Sequence, residues 1–182
     1  MDTSYSDGIF YDNNHRINPF LISVTKTISP GIVIDYGCGI GTNAQYLKQL
    51  GWEVFVVEKE PIAISSLRKK FETERIVVGD CTSLDFSRLP TCDLAICNYV
   101  LQHFSVEAAE IFLLNVVSKV KEDGYLQISL FDRENVITST QINSLFRNNG
   151  CVLLEQKYWT RWDHDHGPVH FHKGYESFWK KK

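Results

Sequence analysis

The stretch "IVIDYGCGIGTN", Ile32 to Asn43, decides how the rest of the chain is read. The β-branched run Ile32, Val33, Ile34 leads into an acid, Asp35, after which glycine stands at every second position: Gly37, Gly39 and Gly41. A glycine-rich turn between a strand and a helix lets a ligand approach backbone where a Cβ would block it, beside the positive end of the helix. The stretch therefore reads as a cradle for a nucleotide-type ligand. It departs from the dinucleotide fingerprint, whose last small residue would fall on Thr42, and no G-K-[ST] follows to make a phosphate loop. Asp35, two positions before the first glycine, would repel a pyrophosphate and favour a cation.

The alternation continues from residue 31 to about 130. The runs "GIVIDY", "WEVFVVE", "RIVVGD", "CDLAICN" and "YLQISLF" are nearly all apolar, as in strands covered on both faces. Helical patterns separate them, which predicts a parallel sheet in a layered α/β fold. Thr42 or Asn43 is expected to cap a helix burying Ala44, Leu47 and Leu50, with Gly51 as terminator. Pro61 opens the next, with Ile64, Leu67 and Phe71 inward. Ser105 caps a third, whose buried face runs through Ile111, Leu114 and Val117 toward Gly124. Before the first strand, Asn18 and Pro19 read as cap and first turn of a helix burying Phe20, Leu21, Val24 and Ile28, and residues 1–17 as a flexible lead segment. After a helix capped by Thr138 or Ser139, with Ile142, Leu145 and Phe146 on one face, "CVLLEQKYW" and "YESFW" follow with no helix between them. Such strands pair antiparallel or lie at an edge.

With 182 residues and 43% hydrophobic content, a single domain over 1–182 is expected. The net charge of −3 and the scattered basic residues make nucleic acid an unlikely partner, and Lys180, Lys181 and Lys182 read as a solvated tail. Five cysteines, an odd number with no C-x-x-C pair and no apolar leader, suit free thiols in the cytoplasm. No run reaches membrane-spanning length, and no pattern specifies an oligomer.

These motifs, in this order, resemble the class I S-adenosylmethionine-dependent methyltransferases, whose first motif reads acid-x-G-x-G-x-G; "DYGCGIG" matches it in full. The resemblance implies a three-layer Rossmann-like α/β fold: a mostly parallel seven-stranded sheet with an antiparallel C-terminal edge hairpin, and a donor-binding core over 31–130. It implies S-adenosylmethionine as cofactor, cradled by Asp35, Gly37, Cys38 and Gly39. Glu58, at the end of "VFVVE", would accept the ribose hydroxyls, with Lys59 beside it. Asp80 of "GDCTSL" would meet the adenine amino group and Cys81 would supply its backbone N–H. Asn98 and Tyr99, in "CDLAICNYVLQHF", would line the turn that faces donor and acceptor.

Methyl transfer from a sulfonium depends mainly on orientation and desolvation, and needs a general base only if the acceptor is protonated. His103 is the candidate base, with a structural hydrogen bond as its plain alternative. Family members acting on DNA amines carry Asp or Asn before Pro-Pro and an aromatic; "NYVL" has no proline, which with the acidic pI argues against nucleic acid. Acceptor contacts then fall to Tyr11 and Arg16 of the lead segment acting as a lid, to Tyr99, and to the loop "WTRWDHDHGPVHFH". That loop is similar to the His-rich tails of small tellurite-resistance-type methyltransferases. Its D-H-D-H spacing is no tetrahedral cage, so no metal is expected, and the 163–172 stretch reads as a solvated or substrate-contacting loop. The expected function is methyl transfer to a small molecule. The alternatives are a donor-binding but inactive regulatory or partner subunit, and a methyltransferase acting on RNA or protein.

Overall fold

The computed structural model describes residues 17–163 and 170–182. Its seven strands form one sheet in the order β3-β2-β1-β4-β5-β7-β6. Strands β1 (Ile32–Tyr36), β2 (Glu53–Glu58), β3 (Ile76–Val78), β4 (Cys92–Asn98) and β5 (Val120–Phe131) run parallel. The hairpin of β6 (Cys151–Asp163) and β7 (His170–Lys181) closes the sheet antiparallel, with β7 inserted between β5 and β6. The expected architecture is thus the observed one.

Helices lie on both faces, because strands buried on both sides need a cover for each. On one face α1 (Pro19–Thr25), α2 (Thr42–Gln49) and the end of α3 (Pro61–Leu67) close a core of Leu21, Val33, Leu47, Val56, Leu67, Phe71, Leu94, Ile96 and Phe178. On the other, α4 (Val106–Lys119) and α5 (Ser139–Asn148) cover Ile34, Tyr36, Ala95, Phe112, Phe146 and Trp179. The caps expected from sequence form at Asn18, at Ser105 and at Thr138, where Gln141 completes a capping box.

Several local expectations are corrected. The N-cap of α2 is Gly41, at φ 81, with no side-chain bond, because the Asn43 Oδ1 accepts instead from the Asn18 N–H at 3.0 Å. Leu50 follows the helix as its C-cap and stays exposed. On α4 the buried face is rotated: Ala109, Phe112, Leu113, Val116 and Val117 go inward, while Ile111 is 61% exposed and Leu114 is also outside. That helix is apolar on more than one side, and the larger Phe112 takes the core by stacking edge-on against Tyr36. It ends at Lys119, and Gly124 lies inside β5 near a register shift, where a Cβ would press on Val120 and Lys121. The stretch 159–172 is largely strand, paired through Trp162↔Phe171 and Asp163↔His170, and residues 164–169 lie outside the described residues. Lys180 and Lys181 are no tail: Lys180 pairs with Asp123 at 2.8 Å, and the Lys181 Nζ donates to the Val117 and Val120 carbonyls. Among the described residues no helix is long and apolar enough to cross a membrane.

The rotated face of α4 is testable by urea unfolding. Phe112→Ala should cost about 3–5 kcal/mol, the range for emptying an aromatic core site. Ile111→Ala should stay within about 0.5 kcal/mol of the parent, as exposed substitutions do.

Candidate functional site

The carboxyl ends of the parallel strands bring the predicted donor residues together. After β1 the chain turns sharply: the N–H groups of Gly37 and Cys38 both donate to the Val57 carbonyl, at 2.9 and 3.2 Å. The Gly39 N–H donates to Glu58 Oε2 at 2.7 Å, so the end of β2 pins the turn. Gly37 and Gly39 both adopt positive φ, 66° and 56°. Their spatial reasons differ. A Cβ on Gly37 would collide with Val100, whereas one on Gly39 would meet nothing within 4 Å and would project into open space. Gly39 thus leaves the turn open on the side where a side chain would stand.

Glu58 Oε1 also accepts the N–H groups of Lys59 (2.7 Å) and Glu60 (3.0 Å). Asp35, buried beside it, has its carboxyl held well above the usual range, first by burial and then by the Glu58 charge, and its Oδ2 has no hydrogen-bond partner. The neighbouring Glu58 charge thus adds to the cost of ionising Asp35. Cys38 and Cys81 stay thiols: burial raises the first, and pushes the second up to about 12. What they offer is backbone and apolar surface. Asp80 caps the short turn Cys81–Ser83 through Thr82 and pairs with Lys59 at 3.0 Å. Burial opposes its ionisation, but the Thr82 N–H and Lys59 outweigh that and lower its pKa.

Beyond β4, Tyr99 is held at φ 57, its N–H donating to the Ser129 carbonyl at 2.7 Å. A non-glycine residue there is uncommon. The twist lays the Tyr99 ring on Phe131, centroids 4.8 Å apart, and Trp159 meets Phe131 edge-on. Arg133 lies over the other reach of Phe131. His103 stands on the turn Leu101–His103 at the protein surface; the groups packed around it desolvate its imidazole, and with Arg133 and Lys59 nearby its pKa falls below the usual value. Tyr11 and Arg16 lie outside the described residues, as does most of the Asp/His stretch.

The sequence reading placed Trp159 in the acceptor-contact stretch but missed Phe131 and the polar group formed by Asn18, Gln127, Ser129 and Glu176. Asn18 was legible only as a helix cap. Its bond to Ser129 joins residues 111 apart, and Ser129 meets Glu176 across 47 positions, so no local pattern announces either.

A family model described as a methyltransferase domain matches residues 34–128. The mitochondrial ubiquinone biosynthesis O-methyltransferase of Schizosaccharomyces pombe is 33% identical over 106 residues, 56% of this chain and 38% of that protein. The ubiquinone biosynthesis O-methyltransferase of Rickettsia bellii is 30% identical over 129 residues, 65% of this chain and 53% of the relative. The chain thus spans about half or less of the curated relatives' length. In fold it is similar to TehB from Haemophilus influenzae, with a TM-score of 0.79 at 20% identity, over 97% of this chain and 66% of TehB.

The buried carboxyl of Asp35 makes a prediction about stability. A carboxyl whose folded pKa is raised costs nothing below its unfolded pKa, about 4, and the cost grows as pH climbs toward the folded value. Asp35→Asn should therefore raise thermal stability at neutral pH by about 0.5–2 kcal/mol, and the gain should vanish below about pH 4. Melting curves across that pH range check it.

Proposed function

The chain belongs to the class I S-adenosylmethionine-dependent methyltransferases, and from that premise we propose that it moves a methyl group from S-adenosylmethionine to a small-molecule acceptor. The observation that carries the reading is the glycine turn after β1: Gly39 has open space where a Cβ would stand, and the buried Asp35, four residues earlier, leaves the demand of its Oδ2 for a hydrogen-bond donor unmet. A sulfonium with an ammonium satisfies that demand, and a pyrophosphate would aggravate it.

When bound, the donor supplies an activated methyl group on sulfur. The rest falls to this chain's side chains. Glu58, already accepting three N–H groups on two oxygens, keeps lone-pair capacity for ribose hydroxyls. Asp80 sits at the next strand end, where it can take the adenine amino group, with Cys81 as the adjoining backbone donor. Asn98 and Tyr99 turn the wall of the cleft from polar to aromatic. The stacked rings of Tyr99 and Phe131, with Trp159 edge-on to both, offer an apolar surface to an acceptor and exclude water from the transfer path. His103, its pKa lowered, is neutral at pH 7 and able to take a proton from a hydroxyl. The small-molecule acceptor is supported by this aromatic wall and by the curated relatives, whose names place them in ubiquinone biosynthesis.

Incubation with labelled donor and a panel of hydroxylated aromatics, amines and oxyanions, RNA and cell-extract proteins tests the reading. A mass gain of one methylene on a small molecule is expected; donor binding with no methylated product in any class would replace it with a non-catalytic binding module. Gly39→Ala should destabilise the fold by only about 1–2 kcal/mol, the strain of a Cβ at positive φ, yet remove donor binding in calorimetry. With a hydroxyl acceptor, His103→Ala should slow single-turnover transfer about 10²–10⁴-fold. The wild-type rate should fall with acid only below about pH 6.5, because the neutral base persists to lower pH than a free histidine would.

A further inference from the structure

On the face of the sheet beneath α1, Asn98, Ser129, Glu176 and Lys157 stand in one row, as successive register partners on β4, β5, β7 and β6. Polar side chains on an otherwise apolar face must be satisfied among themselves. Asn18 lies over the row and organises it. Its Oδ1 accepts the N–H groups of Phe20 (2.8 Å) and Leu21 (3.3 Å), which caps α1 and fixes the amide with Nδ2 toward the sheet. That Nδ2 donates to Ser129 Oγ at 2.9 Å and to Asn98 Oδ1 at 3.1 Å. Ser129 Oγ also accepts from Gln127 Nε2 at 2.8 Å, so both its lone pairs are taken and its own proton goes to Glu176 Oε1, at 3.3 Å. Each bond in the chain has a forced direction. With Asn98 Oδ1 committed to Asn18, Asn98 Nδ2 must point away, and it is buried with no hydrogen-bond partner.

A buried N–H without a partner calls for an oxygen lone pair. Asp35 is in register with Ile96, two residues before Asn98, so Asp35 and Asn98 project from the same face of neighbouring strands. Of the groups on S-adenosylmethionine, the cations suit Asp35, and ribose and adenine fall to Glu58 and Asp80. The carboxylate alone is without a partner. We infer that Asn18, itself held in place by the Ser129–Glu176 relay, is a positioning residue that locks Asn98 with its N–H toward the carboxylate of the methyl donor. The inference rests on the donor reading of the site given above.

Calorimetric titration of the full chain with S-adenosylmethionine and with its decarboxylated form, which lacks only that carboxylate, reads the relay. Wild type should prefer the intact donor. Asn18→Ser keeps a cap oxygen for α1 but removes both N–H donors, and should cut the preference roughly tenfold, the scale of a charge-assisted hydrogen bond. Affinity for the decarboxylated donor should stay as it was. Ser129→Ala should act likewise from the other end of the relay. Asn98→Ala should abolish the preference, and adding Asn18→Ser to it should change nothing more. Equal losses for both ligands would make Asn18 and Ser129 scaffolding alone, and an unchanged preference would place the carboxylate elsewhere; either result overturns the inference. Wild-type protein that bound neither ligand would overturn the donor reading itself, and the inference with it.

Discussion

Glu58 ends β2 with a carboxylate that accepts N–H groups from Gly39, Lys59 and Glu60. Three residues from two different turns are thereby ordered around one side chain. A run of alternating glycines has little conformational preference of its own, and without an external anchor its ordering would cost entropy with nothing to offset it. The anchor comes from the neighbouring strand because parallel strands end on the same side of the sheet, so the turn after β1 and the turn after β2 are adjacent. The same proximity places the Glu58 charge against the buried Asp35. Shape and charge at the cleft therefore have one origin.

A second constraint runs crosswise. The row Asn98, Ser129, Glu176 interrupts an apolar face, and a half-satisfied polar row in a core would cost more than an apolar one. Asn18 completes it and so ties α1 to the tips of two strands, while its own N–H takes Asn43 at the start of α2. Burial pushes the Glu176 carboxyl up, against the pull of Asn18 and Lys157, which marks how far from water the row lies. Two residues outward, on the same face, the row changes character to Phe131, Gly174 and Trp159. The missing side chain at Gly174 leaves the room that the Trp159 ring occupies beside the backbone. Polar and aromatic steps thus succeed each other from the cradle toward the open end of the sheet.

The C-terminal hairpin supplies members of both rows, although it lies farthest from the glycine turn in sequence. Because β7 enters between β5 and β6, its residues are interior to the sheet, and Tyr175, Ser177 and Trp179 are as buried as any in the parallel strands. Its last lysines complete the opposite end, against the carbonyls that close α4 and the acid in the bend of β5.

The order of strands and helices was legible in the residues because continuous apolar runs, Asn-Pro and Glu-Pro helix starts, and glycine terminators are local features, and local sterics decide them. The residues of the proposed cradle were placed for the same reason: Asp35, the three glycines, Glu58 and Asp80 each stand next to a strand end that the pattern already marks. Which face of α4 turned inward was not, since periodicity offered more than one apolar face and only the volume beside Tyr36 selected Phe112. Nor could a string of residues show that Asn43 would give up its own helix for Asn18, or that Ser129 would be saturated from three sides. Those outcomes are set by partners tens of residues away, brought together by β-strand register, and a hydrogen bond depends on distance and direction in space, which the tertiary structure alone provides.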